Sequence, residues 1–364
     1  MSTLQEDDRL LIRDAVESFA DDHYAFDERH RRLQASGKFG ANWPAFADLG
    51  WLALPFAERA GGLGGGMEDV HVLMRAFGRV LITEPYAEVV LAGKLLEELD
   101  SELLAPVISG ELKCVLAHGE WLADPGFEHV ECRATRVPGG FSISGCKRAV
   151  WQAGAADRLL LTAMLEEQPA LFVVPAEIGG LKLDEFTTID SRYAADILLR
   201  DVVVDGDALL ASGAAASRSV RHGILYAFAV LVGEARGIAD ALVAMTADFL
   251  NTREQFGARL SSFQALQHKL ADMVIGAEEI RALEWLVAGS AGLDDPGERE
   301  KVLRSAKARV GKVLREMAEV AVQLHGGMGV SDELVIGHYL RRAVALDSLY
   351  GDSSKQLAWL AARS

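Results

Sequence analysis

Two short segments of the 364-residue chain combine groups suited to an anionic ligand. In Thr252-Arg253-Glu254-Gln255-Phe256-Gly257, Arg253 offers a fork of N–H donors that matches phosphate oxygens and never deprotonates. In Gln323-Leu324-His325-Gly326-Gly327-Met328-Gly329, the glycines allow positive φ and let a ligand come close to backbone amides. Each has a plainer use. Arg253 also suits an exposed helix end paired with Glu254, and Gly326 also suits a helix C-cap. A third segment, Gly351-Asp352-Ser353-Ser354, carries one carboxylate, which fits either proton abstraction or the N-cap of a helix. His118 and Glu120 are either ligand contacts or a strand-end pair, and Trp151 reads as core. Metal ligation has no basis: Cys114, Cys132 and Cys146 are odd in number, widely spaced and without CxxC or Cys/His spacing, so they read as small buried apolar residues.

The elements that must position these groups fall into three stretches. Residues 1–113 read as helices: Ile12, Val16 and Phe19, then Val70, Leu73, Met74, Phe77 and Leu81, each mark a buried stripe, with a loop at Gly61, Gly62 and Gly64 to Gly66 between them. Residues 114–212 read as short strands at 114–118, 141–144, 159–163, 171–174, 196–200 and 202–204, with a turn at Pro138-Gly139-Gly140. Strands without intervening helices predict an antiparallel barrel or sandwich. From 213 to 364 the helical period returns. Ile238, Leu242, Met245 and Phe249 form one stripe, Leu266, Leu270, Met273, Ala277 and Ile280 a second, and Ala306, Val310, Val313, Met317, Val320 and Leu324 a third, which describes an antiparallel bundle. The fold class is α+β: an N-terminal helical domain, a middle β-barrel domain and a C-terminal four-helix bundle.

Composition bounds the function. Half of the residues are apolar, enough for a substantial core, and 37 basic against 53 acidic residues give a net charge of −16. No basic cluster is present to neutralise a phosphate backbone, so nucleic acid is excluded as a partner, whereas a small anion held by local cations or amides is not. The longest unbroken apolar run, Ile224–Val232, is nine residues, far short of the roughly 20 that span a bilayer. Residues 1–13 begin with acids where a signal peptide has a basic and then an apolar stretch, so no membrane association and a cytoplasmic location are expected.

Four stretches together resemble the acyl-CoA dehydrogenase family over nearly the whole chain: LGWLALPFAERAGGLGGG (49–66), followed by a helix ending AFGR; DFLNTREQFGARLSSFQALQHKLADM (248–273); AVQLHGGMGV (321–330); and RRAVALDSLYGDSS (341–354). The LYGDSS tail is most similar to small subunits of heteromeric members, of the pimeloyl-CoA dehydrogenase small-subunit type. The resemblance implies FAD as cofactor, an acyl-CoA substrate and α,β-desaturation. A carboxylate removes the α-proton, the β-hydrogen leaves as hydride to the flavin, and electron-transfer flavoprotein accepts the electrons. It implies that Arg253 reaches a flavin pyrophosphate across a subunit interface, supported by Phe256, Phe263 and Gln264. It also implies that Gln323, Leu324, Gly326 and Gly327 pack on the adenosine-diphosphate half of a neighbour's flavin, and that Ser353 and Ser354 belong to the cofactor contacts.

The chain departs from the family pattern where the acid–base chemistry is expected. Aligned on Tyr350, Gly351 stands where many members have their catalytic glutamate, and Ala227, between Tyr226 and Phe228, stands at the alternative position. Asp352 is the acid nearest the expected place. Leu116-Ala117-His118-Gly119-Glu120-Trp121 replaces the Thr-Glu-Pro and Gly-Ser-Asp elements that hold the flavin ring and acyl chain, and Ala149 and Trp151 replace a Trp and a Thr. Elements donated to a neighbour's flavin are kept while those holding the chain's own are degraded, which points to a hetero-oligomer with a larger homologous subunit. The alternatives are a self-sufficient homo-oligomer using Asp352 on an acyl-CoA or a nitroalkane-type carbon acid, and a redox-inactive scaffolding subunit. The acyl group stays open between fatty, dicarboxylic, aromatic and steroid acids.

Overall fold

The computed structural model describes residues 4–27, 31, 40, 42–120 and 130–363. Its elements gather into two compact units: Met1–Arg31, Gly66–Ile82 and Phe228–Ser364 form one, and Arg32–Gly65 and Thr83–Ala227 the other. Among the described residues, the order of elements is helical, then β, then helical.

In the second unit, helices α2 (Trp43–Asp48), α4 (Tyr86–Glu98) and α5 (Leu104–Ile108) accompany an eight-stranded sheet. Its strands are β1 (Cys114–Ala117), β2 (Arg133–Val137), β3 (Gly140–Trp151), β4 (Arg158–Leu165), β5 (Gln168–Pro175), β6 (Leu181–Thr187), β7 (Tyr193–Asp205) and β8 (Leu209–Ser212). The hydrogen-bonded order is β6-β7-β3-β2-β4-β5-β8, with β1 on β4. The sheet is not antiparallel throughout. β1 and β2 both run parallel to β4; two reversals, at Pro138-Gly139 and at Ala153–Ala155, separate β2 from β4, so the two point the same way. The runs at 196–200 and 202–204 belong to one strand, β7, broken in appearance by Asp201 at φ +49, whose amide and carboxylate both bond the Ser144 hydroxyl at 2.9 Å. Phe141, Ile143, Leu159, Leu161, Phe172, Ile197 and Val202 fill the core, the inward members of alternating strands. Strands β2, β6 and β8 escape the sequence pattern because few of their residues are buried.

In the first unit, α1 (Glu6–His23) packs on α3 (Met67–Val80), and α3 on α6 (Ala214–Thr252, from Phe228 onward in this unit) and on α7 (Gln264–Gly289). The expected stripe on α3 is buried as read, and Leu81 ends the helix at φ +53. Helices α3 and α6 meet at their backbones: a Cβ on Gly78 would overlap the Glu234 carbonyl oxygen, and one on Gly237 would overlap that of Arg75. Only glycine permits that crossing. Helix α8 (Pro296–His325) starts at the Asp295 N-cap and carries the third predicted stripe in its core. Two helices follow beyond the three predicted stripes, α9 (Val335–Ser348) and α10 (Ser353–Ala361), and both pack on α8. The buried Arg342 of α9 makes a bidentate pair with Glu234 of α6 at 2.7 and 2.8 Å. No helix among the described residues is long and apolar enough to cross a membrane.

Candidate functional site

Helix α6 ends at Thr252, and the chain turns through a two-stranded hairpin, β9 (Glu254–Gln255) and β10 (Ala258–Arg259). The Leu260 amide closes the turn by donating to the Arg253 carbonyl at 2.9 Å. Phe256 and Gly257 occupy its tip at φ +54 and +77, the two left-handed residues a tight two-residue hairpin demands. Phe256 is 89% exposed, its ring edge-on to Phe263 at 6.2 Å between centroids. Gln264 is the first, exposed residue of α7. Glu254 pairs with Arg259 at 3.9 Å, not with Arg253, so among the described residues the Arg253 guanidinium enters no ion pair.

Helix α8 ends at His325 with Gly326 as C-cap at φ +61, leading into a short 3-10 turn, Gly326–Val330. A Cβ at Gly326 or Gly327 would meet nothing within 4 Å, so the backbone there is open to an incoming group. Gln323 is exposed and Leu324 is buried beneath it. One contact brings this turn to Arg253. The Phe249 ring, one helical turn before Arg253, stacks on the His325 ring at 4.3 Å and 27°. His325 is fixed in turn by its Nδ1, 2.8 Å from the Ala321 carbonyl, and burial holds its pKa below the ordinary value. Two motifs distant in the chain therefore share one solvent-facing corner of the bundle. An arginine without an internal partner beside an open glycine backbone is a donor set that fits a diphosphate.

The tail turn lies elsewhere. Tyr350 and Gly351 are both left-handed, at φ +56 and +99. Asp352 is the N-cap of α10, its Oδ1 accepting the Lys355 amide at 2.9 Å. Ser353 donates through its hydroxyl, at 2.5 Å, and its amide to Asp347, while Ser354 is exposed. Beneath the turn, the Lys307 ammonium donates to the carbonyls of Asp347 at 2.7 Å and Gly351 at 3.4 Å, and burial pushes its pKa down to about 8 against the pull of Asp347 and Asp352. Gln356, fully buried, donates to the Gly351 carbonyl and accepts from Arg304. Ser353 packs where Gly311 passes, 15 residues and about 22 Å along α8 from Gly326. The structure thus separates Asp352, Ser353 and Ser354 from the Arg253 corner.

In the β unit, His118 and Glu120 face inward. The Lys147 ammonium, fully buried, pairs with Glu120 at 2.5 Å and donates to Thr162 at 2.9 Å, and His118 Nδ1 lies 3.0 Å from the same hydroxyl. The amides of Glu131 and Cys132 donate to the two Glu120 carboxylate oxygens. Burial alone would raise the Glu120 carboxyl; Lys147 and these amides override it and leave it below the ordinary value. Sequence reasoning missed Lys147, the residue that turns an apparent strand-end pair into a closed network; a lone lysine within a strand run was its only signal. Trp121 lies outside the described residues, and Trp151 is half-buried rather than core. Cys114 and Cys132 are buried, which pushes their thiols up to about 12 and about 11.

A helical, β, helical chain with this diphosphate-type corner defines a class, and comparison with known proteins gives it a name. Residues 6–111 match the acyl-CoA dehydrogenase N-terminal domain and residues 221–364 the acyl-CoA dehydrogenase C-terminal domain. The chain belongs to the acyl-CoA dehydrogenase family, oxidoreductases that act on acyl-CoA with FAD. It is 29% identical to acyl-CoA dehydrogenase FadE28 of Mycobacterium tuberculosis over 88% of this chain and 92% of that protein. Among solved structures it is similar to a variant of the Tcur3481-Tcur3483 steroid ACAD, with 27% identity, a TM-score of 0.85 and coverage of 98% and 97%. The ChsE4-ChsE5 complex from Mycobacterium tuberculosis shares the fold at 22% identity, with a TM-score of 0.86 and coverage of 100% and 98%.

Proposed function

We propose that this chain is a small-subunit-type component of a heteromeric acyl-CoA dehydrogenase: it completes an FAD site on a larger homologous partner and leaves proton abstraction to that partner. The observation that carries this reading is the contrast between two places along α8, its C-terminal end and its middle. At Gly326 the Arg253 corner is open and uncommitted. At Gly351 the position of the family glutamate is a left-handed glycine at φ +99 whose added Cβ would stand 2.8 Å from Gln356 Nε2.

When bound, FAD supplies the two-electron oxidising capacity for desaturation. This chain's part is to hold it: Arg253 would grip the pyrophosphate, Phe256, Phe263 and Gln264 would flank it, and Gln323, Gly326 and Gly327 would face its adenosine end, with Leu324 buried beneath them. The inward-facing Glu120 and Lys147 pair spends its polar atoms on Thr162 and on the amides of Glu131 and Cys132, with His118 Nδ1 on the same threonine. The outer face of α7, with Ile275 and Leu286 at 65% and 51% exposed, suits burial against another chain. Electron-transfer flavoprotein is the acceptor, and the likeness to a steroid ACAD favours a bulky acyl-CoA.

The visible spectrum of the purified chain, alone and with its partner, tests the reading. Flavin that appears only in the complex, and falls in the Arg253→Ala complex with the fold intact, is the expected result. A chain that is yellow alone and bleached by acyl-CoA supports the self-sufficient enzyme using Asp352. A complex with no flavin leaves only a scaffolding role.

A further inference from the structure

A cavity of about 360 Å³ opens between α1, α3 and α7 of the first unit, away from the Arg253 corner and the tail turn. Its floor holds two facing polar groups, His71 and Glu284, with no hydrogen bond between them. His71, 1% exposed, has Nε2 at 2.9 Å from the Ala229 carbonyl, which can only accept, so Nε2 carries the proton and Nδ1 keeps its lone pair. Burial lowers the His71 pKa to about 4, so the ring is neutral. Facing Nδ1 at 3.8 Å is Oε1 of Glu284, whose side chain is 3% exposed. That oxygen accepts no hydrogen bond among the described residues. Arg75 Nε comes within 3.1 Å of it but directs its N–H to the His71 carbonyl at 3.3 Å, giving charge without a bond.

Two polar atoms 3.8 Å apart are too distant to share one proton directly, and a single N–H donor group seated off the line between them can reach both. The cavity is far larger than the roughly 10–15 Å³ a single water requires. Its remaining lining is amphipathic: Val72, Ala288 and the 71%-exposed Trp285 offer apolar surface, and Arg9 is already neutralised by Asp69 at 2.5 Å and Glu68 at 2.9 Å.

We propose that this cavity binds a small primary ammonium ligand, its head donating to Glu284 Oε1 and His71 Nδ1 and its aliphatic body lying on Val72, Ala288 and the Trp285 ring. An ammonium is the donor this pair selects: a carboxylate balances its charge, a neutral imidazole takes a second N–H, and an indole face favours a cation. Binding also changes a protonation state. Burial raises the free Glu284 carboxyl to about 7, with Asp240 adding to the rise and Arg75, Arg236 and Arg281 opposing it, so near neutrality part of it is protonated, and an incoming cation ionises it and releases a proton.

The test is calorimetric titration of the full-length chain at about pH 6.5 with n-butylammonium chloride and, separately, with the uncharged isostere 1-butanol. The expected result is saturable butylammonium binding, at least about tenfold tighter than butanol, with a heat that varies with buffer ionisation enthalpy in the sense of proton release. The isosteric Glu284→Gln chain, checked as folded by circular dichroism, is expected to bind butylammonium at least about tenfold more weakly. No saturable binding, which means water alone fills the gap, overturns the proposal. So do butanol binding of equal strength, a heat independent of buffer, and undiminished binding by Glu284→Gln. The butanol and buffer comparisons need no variant.

Discussion

Phe249 and His325 stack ring on ring at 4.3 Å, and this contact joins the end of α6 to the end of α8. It sets the Arg253 turn against the Gly326 turn, so neither motif has a defined partner without it. Phe249→Ala is therefore expected to reduce flavin retention in the assembled complex although it removes no atom assigned to the cofactor. The stability loss should be modest, about 1–2 kcal/mol, since the pair is worth about 0.5–1.5 kcal/mol beyond its burial. Combining it with Arg253→Ala should add little further flavin loss, because both act on one corner. Absorbance at the flavin band per mole of complex measures each step.

Asp352 caps a helix, and that allows its charge to be separated from its cap. Asparagine caps as well as aspartate, so Asp352→Asn should keep the α10 cap and lose only the attraction to the buried Lys307, while Asp352→Ala should cost a further ~1 kcal/mol for the cap. With the base on the partner, the turnover of the Asp352→Asn complex stays near that of the parent. A fall on the order of 10² to 10⁴ with flavin retained would place the base here instead.

Restoring a glutamate at Gly351 should not restore an autonomous enzyme. A side chain there is forced into φ +99 and against the buried Gln356. The expected cost is about 1–3 kcal/mol by urea unfolding, with no dehydrogenase activity in the chain alone.

Glu120→Ala should be among the most damaging single changes. It leaves the Lys147 ammonium, with no exposed side-chain surface, without its counter-ion in the β unit. Removing one partner of such a pair costs about 3–5 kcal/mol, readable from the denaturation midpoint at unchanged m-value.

Glu284 makes stability fall with rising pH. Its folded pKa, raised to about 7 by burial against the partial relief of Arg75 and Arg236, lies above the ordinary 4.5. Its contribution is fully present below 4.5 and is lost as pH rises through 7, a swing of about 3 kcal/mol. Glu284→Gln should flatten that part of the curve, and unfolding midpoints at about pH 5 and about pH 8 measure it.

The sequence by itself determined whatever depends on neighbours within a few residues. The stripes of α3, α6, α7 and α8 and the strand runs at 114–118, 159–163 and 171–174, which mark β1, β4 and β5, follow from side-chain period. So do the C-cap tendency of Gly326 and the family signature carried by contiguous motifs. The short helices α4, α9 and α10 are less legible because buried residues cover more than one stripe or the helix is too brief to show a period. Tertiary structure decided the pairings. Whether Glu120 meets a ligand or Lys147, whether Arg253 pairs with Glu254 or stands free beside Gly326, and whether two polar groups at His71 and Glu284 face each other all depend on segments 27 to 213 residues apart in the chain. Local period records which face of an element is apolar; it holds no record of which other face that element will meet, and the partner of a buried polar group is fixed only when the faces close.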